Sequence, residues 1–183
     1  MTNPKPNFST ISVDVETSGP NPAAYALLSI GACTLSEPRQ SFYVELQPDK
    51  PAFLPEAMLI NHLSMEKLTA EGMPACDAMQ SFANWLDECV PDGKEPLFLA
   101  FNAPFDWMFV NDYFYRYLKF NPFGHAALDA KSYYMGLKRV DWSETSMQEV
   151  SHIYSPGRRH EHHALDDAIN LAVIFEKMLK DTR

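Results

Sequence analysis

At 183 residues, 46% of them apolar, the chain can bury a core of its own and is the size of one ordinary domain. A net charge of -9 at pH 7 excludes a protein that grips long nucleic acid through a broad basic face, since such binding rests on many Lys and Arg contacts to phosphate; a protein that needs only a chain end escapes that objection. No apolar run approaches the ~20 residues of a membrane span, and Cys33, Cys76 and Cys89 lie in apolar stretches at spacings that match no zinc or redox pattern, so buried thiols of a cytoplasmic protein are expected.

Residues 1–7 read as a polar, proline-containing tail and 8–183 as a single domain. Over 8–16 the residues alternate, with Ser9, Ile11, Val13 and Val15 on one side and Phe8, Thr10, Ser12, Asp14 and Glu16 on the other, which is the period of a strand. Residues 26–35 and 41–46 are rich in strand formers, and their short connections suit antiparallel pairing. A helix is predicted over about 75–90, where Met79, Phe82, Leu86 and Cys89 share a face, and Pro91, Asp92 and Gly93 end it. The wholly apolar run 97–101 predicts a strand buried on both faces. Asn102 and Pro104 then read as cap and first turn of a helix carrying Phe105, Asp106, Phe109 and Tyr113. A short strand follows near 126–128, then irregular chain up to a last helix over roughly 163–180, where Ala164, Ala168, Leu171, Ala172, Phe175 and Leu179 make an apolar stripe. Three antiparallel strands followed by alternating helix and strand predict an α/β fold, a mixed sheet with helices on both faces.

Asp14 and Glu16, two apart at the end of the first strand, project from one face toward one point. A lone D-x-E is a weak signal and could be an exposed strand end. This one runs straight into Thr17, Ser18 and Gly19, a turn that lets a ligand approach backbone amides closely. Asp106, in A-F-N-A-P-F-D, could serve only as a dipole partner of its helix, but it stands near the C-terminal end of a buried strand, where open sheets bind ligands. In H-E-H-H-A-L-D-D-A, residues 160–168, Asp167 falls on the apolar side of its helix, where a metal or a cation would offset the cost of burying a carboxylate, and Asp166 points elsewhere, toward solvent. Four carboxylates from three segments with an imidazole nearby are what two-metal phosphoryl chemistry requires. The histidines could also be polar loop residues or an H-x-H-H metal site, but no cysteine or further histidine stands at ligand spacing. The basic residues Arg116, Lys119, Lys131, Lys138, Arg139, Arg158 and Arg159 gather ahead of the last helix, as a solvated surface or a substrate track.

Together the three strings resemble the DnaQ-like DEDDh 3′-to-5′ exonucleases, a family with a ribonuclease H-like fold that includes polymerase proofreading subunits, ribonuclease T and oligoribonuclease. D-V-E-T-S-G looks like the first family motif, N-A-P-F-D the second and H-H-A-L-D-D-A the third, and the match spans almost the whole chain. The resemblance implies a five-stranded mixed sheet and two divalent cations, Mg²⁺ or Mn²⁺. Asp14, Glu16 and Asp167 would bind one, Asp14 with Asp106 the other, and His162 would be the general base. The family spacing H-x-A-x-x-D selects His162, whereas helix geometry favours His163, four residues before Asp167. Where many members carry His before the Asn of the second motif, this chain has Phe101. Glu56 and Asn61 fall in a segment similar to one that touches the terminal nucleotide, and Thr17 and Asn102 are further substrate-binding candidates. The implied activity is hydrolysis from the 3′ end of single-stranded DNA or RNA, short strands above all, releasing nucleoside 5′-monophosphates. Bases could stack on aromatics such as Phe101, Phe105 and Tyr133, although core packing is the role expected of each. A nucleic-acid-end binding module is the alternative; a homodimer and a polymerase partner are both compatible with the sequence.

Overall fold

A computed structural model describes residues 7–157 and 162–181. Arg158, Arg159 and His160 of the basic and histidine-rich stretches, and most of the N-terminal tail, lie outside the described residues. Strand β1 (Phe8–Thr17) is the spine of a five-stranded sheet of order β3-β2-β1-β4-β5, with β2 (Leu27–Thr34), β3 (Ser41–Glu45), β4 (Glu95–Ala100) and β5 (Ala127–Asp129). Pairing is antiparallel from β1 to β2 and from β2 to β3, and parallel from β1 to β4 and from β4 to β5. This is the mixed ribonuclease H-like arrangement expected, with both directions meeting at β1.

The two sides of β1 do different work. Ile11, Val13 and Val15 are buried against helices α3 (Ala75–Cys89) and α4 (Ala103–Tyr113), in a core that includes Phe82, Phe98, Phe109 and Phe114. The opposite face of the sheet carries α7 (Ala164–Asp181), together with α5 (Ala130–Lys138) and α6 (Met147–Tyr154), around Leu99, Tyr134, Val150, Ile174 and Phe175. Ser12, on the same side of β1 as Asp14 and Glu16, donates from Oγ to the Ala168 carbonyl at 2.8 Å. That bond ties the strand bearing two of the acids to the helix bearing Asp167.

Gly31 sets how closely α7 descends. A Cβ there would lie 2.2 Å from the Ala164 carbonyl carbon and the Leu165 nitrogen, so only glycine lets the first turn of α7 rest on β2. Gly31 is the register partner of Asp14, which puts that turn directly beside the acidic end of β1.

Two sequence expectations are corrected, and one stretch without a prediction is filled in. The chain between β5 and α7 is not irregular: Asp129 caps α5 by accepting from the Lys131 and Ser132 amides, and Ser146 caps α6 by accepting from the Glu149 amide. Both helices are short, and Gly136 inside α5 masks its period. Two further short helices, α1 (Pro55–Asn61) and α2 (Met65–Glu71), occupy the stretch between β3 and α3. Cys76 is exposed, in the first turn of α3, whereas Cys33 and Cys89 are buried; all three are free thiols.

Candidate active site

The C-terminal ends of β1 and β4 open into a cleft of about 420 Å³ lined by Asp14, Glu16, Phe101, Asn102, Phe105, Asp106, Met147, His162 and Asp167. The four acids arrive from three elements: Asp14 and Glu16 from the end of β1, Asp106 from the first turn of α4, and Asp167 from the first turn of α7. Among the described residues, Asp14, Glu16 and Asp167 each place a carboxylate oxygen within 4.8 Å of the others. Asp106 is buried and accepts a hydrogen bond from the Val15 amide at 3.1 Å, which fixes it behind the gap between Asp14 and Glu16.

This crowding is electrostatically costly. Burial, then repulsion from Asp106, Glu16 and Asp167, holds the Asp14 carboxyl well above its ordinary range. Burial and the charges of Asp167 and Asp106 push Glu16 up to about 8, and burial raises Asp106 to about 7 against the opposing Val15 hydrogen bond. Such a site binds protons tightly, or exchanges them for something of higher positive charge. The donors are hard carboxylate oxygens, with neither thiolate nor a cage of imidazoles, and that set suits Mg²⁺- or Mn²⁺-like cations.

The two candidate histidines go to different sides. His162 has φ of +50°, a left-handed turn immediately before α7, and lines the acidic cleft. His163 stacks on Tyr43 of β3, with ring centroids 4.6 Å apart, and the Tyr43 hydroxyl is itself held by Glu45 at 3.0 Å. His163 Nδ1 also lies 3.0 Å from an Asp166 carboxylate oxygen, a close approach rather than an aligned hydrogen bond. The backbone turn at position 162 separates what straight helical geometry would have superposed.

Asn102 occupies the N-cap position of α4 with φ of +63° and without a side-chain cap, and lines the cleft instead. Asn is among the few residues with a side chain that adopt this left-handed conformation readily. Thr17 is buried, and its hydroxyl donates to the Gly19 carbonyl. Asn61, buried as well, spends its amide on backbone: Nδ2 donates to the Thr17 carbonyl at 3.1 Å and Oδ1 accepts from the Leu63 amide. It thereby pins the end of α1 to the end of β1. Glu56 is exposed on the first turn of α1. Phe101 and Phe105 line the cleft, whereas Tyr133 packs against Phe175 of α7.

The turn after β1 differs from expectation. The Ser18 amide donates to the Ala26 carbonyl, and a Cβ at Gly19 would lie 2.3 Å from the Tyr25 ring, so this glycine accommodates an aromatic ring rather than a ligand. Of the basic residues, Arg116 pairs with Asp49 and Asp112, and Lys138 with Asp181, in keeping with a solvated surface. Asp129 and Ala103 were silent in the sequence, yet the Ala103 amide donates to the Asp129 carboxylate at 3.0 Å and so fixes the start of α4 against α5.

Residues 11–175 match the RNase_T family model, described as an exonuclease. Over 165 residues the chain is 45% identical to the 3′-5′ DNA exonuclease Cap18 of Escherichia coli, a similarity covering 90% of this chain and 88% of that protein. The fold is shared with the nuclease domain of 3′hExo, a DEDDh family member, bound to rAMP, at a TM-score of 0.78 and 14% identity over 98% of this chain and 95% of the other. It is also shared with E. coli Exonuclease I in complex with a dT13 oligonucleotide, at a TM-score of 0.73 and 18% identity over 96% of this chain and 41% of the other.

Proposed function

The chain belongs to the RNase_T exonuclease family and is a metal-dependent 3′-to-5′ exonuclease, and we propose that the acidic cleft is its active site, residues 8–183 acting as one exonuclease domain. Asp14, Glu16 and Asp167 would hold one divalent cation and Asp14 with Asp106 the second, with Mg²⁺ or Mn²⁺ as the ion. The observation that carries this reading is the convergence of three carboxylates within 4.8 Å, at a cost that burial and mutual repulsion make plain.

Paired divalent cations in such a cleft supply charge stabilisation at the scissile phosphate and orient the attacking water. His162, on the cleft wall, would accept a proton from the attacking water. Phe101 and Phe105 offer apolar faces to the terminal bases, and Asn102 offers an amide to the terminal nucleotide. Thr17, Asn61 and Glu56 are substrate-contact candidates beside the end of β1, to which Asn61 ties α1 through the Thr17 carbonyl. The substrate is a short single strand with a free 3′ end, released as nucleoside 5′-monophosphates. DNA is favoured over RNA by the named activity of the 45% identical relative, and shortness by the net charge of -9. Among the described residues no helix is long and apolar enough to cross a membrane, and the three thiols are free, which suits work in the cytoplasm.

Digestion of matched 5′-labelled DNA and RNA oligomers with Mg²⁺, Mn²⁺ or chelator tests this. A ladder shortening by single nucleotides, faster on single-stranded DNA and abolished by chelator, is expected. Binding of 3′ ends without a ladder would show an end-binding module instead.

A further inference from the structure

Trp142 is half exposed, at 51%, although an indole buried in a core would stabilise the fold far more. The turn that presents it is rigid. Asp141 accepts from the Ser143 amide, the Glu144 carboxylate accepts from the Asp141 amide, and buried Thr145 donates from its hydroxyl to the Trp142 carbonyl at 2.7 Å. Both acids beside the indole are therefore folded back onto backbone. On the indole sits a cation: Lys131 Nζ lies 4.0 Å from the ring centroid.

Two independent routes bring the pair near the catalytic cleft, whose lining includes neither residue. Lys131 is in the first turn of α5, whose cap Asp129 accepts from the Ala103 amide, next in chain to Asn102 of the cleft wall. Trp142 precedes by five residues Met147, which lines the cleft, so the two are at most about 18 Å apart along the chain. At ~3.4 Å per stacked nucleotide that span is about five nucleotides, and fewer for an extended strand.

We infer that Lys131 and Trp142 form an upstream subsite that holds the substrate strand on the 5′ side of the reacting end, the indole stacking a base and the ammonium meeting a phosphate. The occupant is the single-stranded substrate itself, so the inference rests on the exonuclease reading above. An aromatic platform with an adjacent cation is sequence-tolerant, because every base has a stacking face. It also supplies a grip that a chain of net charge -9 otherwise lacks.

The test measures kcat/KM for single-stranded oligodeoxynucleotides of two to twelve nucleotides, beside the p-nitrophenyl ester of thymidine 5′-monophosphate, in wild type, Trp142→Ala, Trp142→Phe and Lys131→Ala. Wild type should gain with length. In Trp142→Ala that gain should fall about tenfold, through KM, while the ester and the dinucleotide turn over as in wild type; Trp142→Phe should restore most of it, and Lys131→Ala should flatten the salt dependence. Quenching of Trp142 fluorescence by a dodecamer, lost in Trp142→Ala, should accompany this. If Trp142→Ala lowers Tm but leaves the length dependence intact, the pair is a surface staple and the inference fails. If wild type hydrolyses neither ester nor oligomers with Mg²⁺ or Mn²⁺, the exonuclease reading itself fails, a distinguishable result.

Discussion

Replacing Gly31 by alanine should disable the enzyme from a position that touches neither metal nor substrate. The added methyl would sit 2.2 Å from backbone atoms of Ala164 and Leu165, where ordinary carbon contacts are about 3.5 Å or more. Backbone cannot escape by changing rotamer, so the first turn of α7 must retreat by more than about 1 Å, carrying Asp167 away from Asp14 and Glu16. A misplacement of that size at a reacting centre costs about 10²-fold in rate, and overpacking of a close contact costs ~1–3 kcal/mol of stability. Mn²⁺ affinity by titration calorimetry, kcat on a single-stranded oligomer and Tm should all fall together. Gly136→Ala is the control: nothing lies within 4 Å of a Cβ there, and its place inside α5 makes alanine stabilising by ~0.5–1 kcal/mol with activity unchanged. A Gly31→Ala enzyme with normal Mn²⁺ affinity and turnover would refute the argument that this contact sets the acidic constellation.

His162→Ala should lower kcat by roughly 10² to 10⁴ with Mn²⁺ binding retained, whereas His163→Ala should keep turnover and lose only the stability of its stack on Tyr43, read as a lower Tm; the reverse pattern would put the base on the wrong residue. Metal-free protein should lose stability as pH rises. Below the ordinary glutamate pKa, Glu16 is protonated in both states and no cost arises; between there and about 8 the unfolded chain releases a proton that the native state retains, so Tm should fall over that window, Asp106 adding to it up to about 7. Saturating Mg²⁺ should abolish that slope, and a metal-free Tm that rises over the same range would contradict it. Asn61→Ala leaves the Thr17 carbonyl and the Leu63 amide without their partner, so ~1–3 kcal/mol of stability should be lost by chemical denaturation, and Asn61→Asp should not restore it because a carboxylate cannot donate to Thr17.

What was legible in the sequence follows physical range. The alternation of β1 is a local pattern, and it put Asp14 and Glu16 on one side and Ile11, Val13 and Val15 on the other, the side that the structure buries in the core. The long stripes of α3 and α7 were equally readable. Helices α5 and α6 were not, because eight or nine residues give barely two turns of period, although Ser146 and Glu149 carried a capping signature in plain view. Gly31 reads as a strand glycine until α7 is seen to rest on it. Family spacing and helix geometry disagreed over His162 and His163 because a single left-handed residue, which helix geometry does not foresee, redirects the chain at position 162. Asn61 was singled out by the family resemblance, whereas its hydrogen bonds to the Thr17 carbonyl and the Leu63 amide were not legible, because they form at a chain reversal that periodicity does not describe.

The central claim is that the mutually repelling acids of the cleft exist to hold catalytic cations, and one variant separates that from every structural use of the same residues. Asp14→Asn keeps the shape but removes one charge from a crowded cluster, so without metal it should be folded, with a Tm at or above that of wild type. Its turnover of a 5′-labelled single strand in saturating Mg²⁺ should fall by three orders of magnitude or more, as expected when a ligand shared by two cations is lost. Measured side by side, a stable Asp14→Asn protein that still shortens the strand at the wild-type rate would contradict the account.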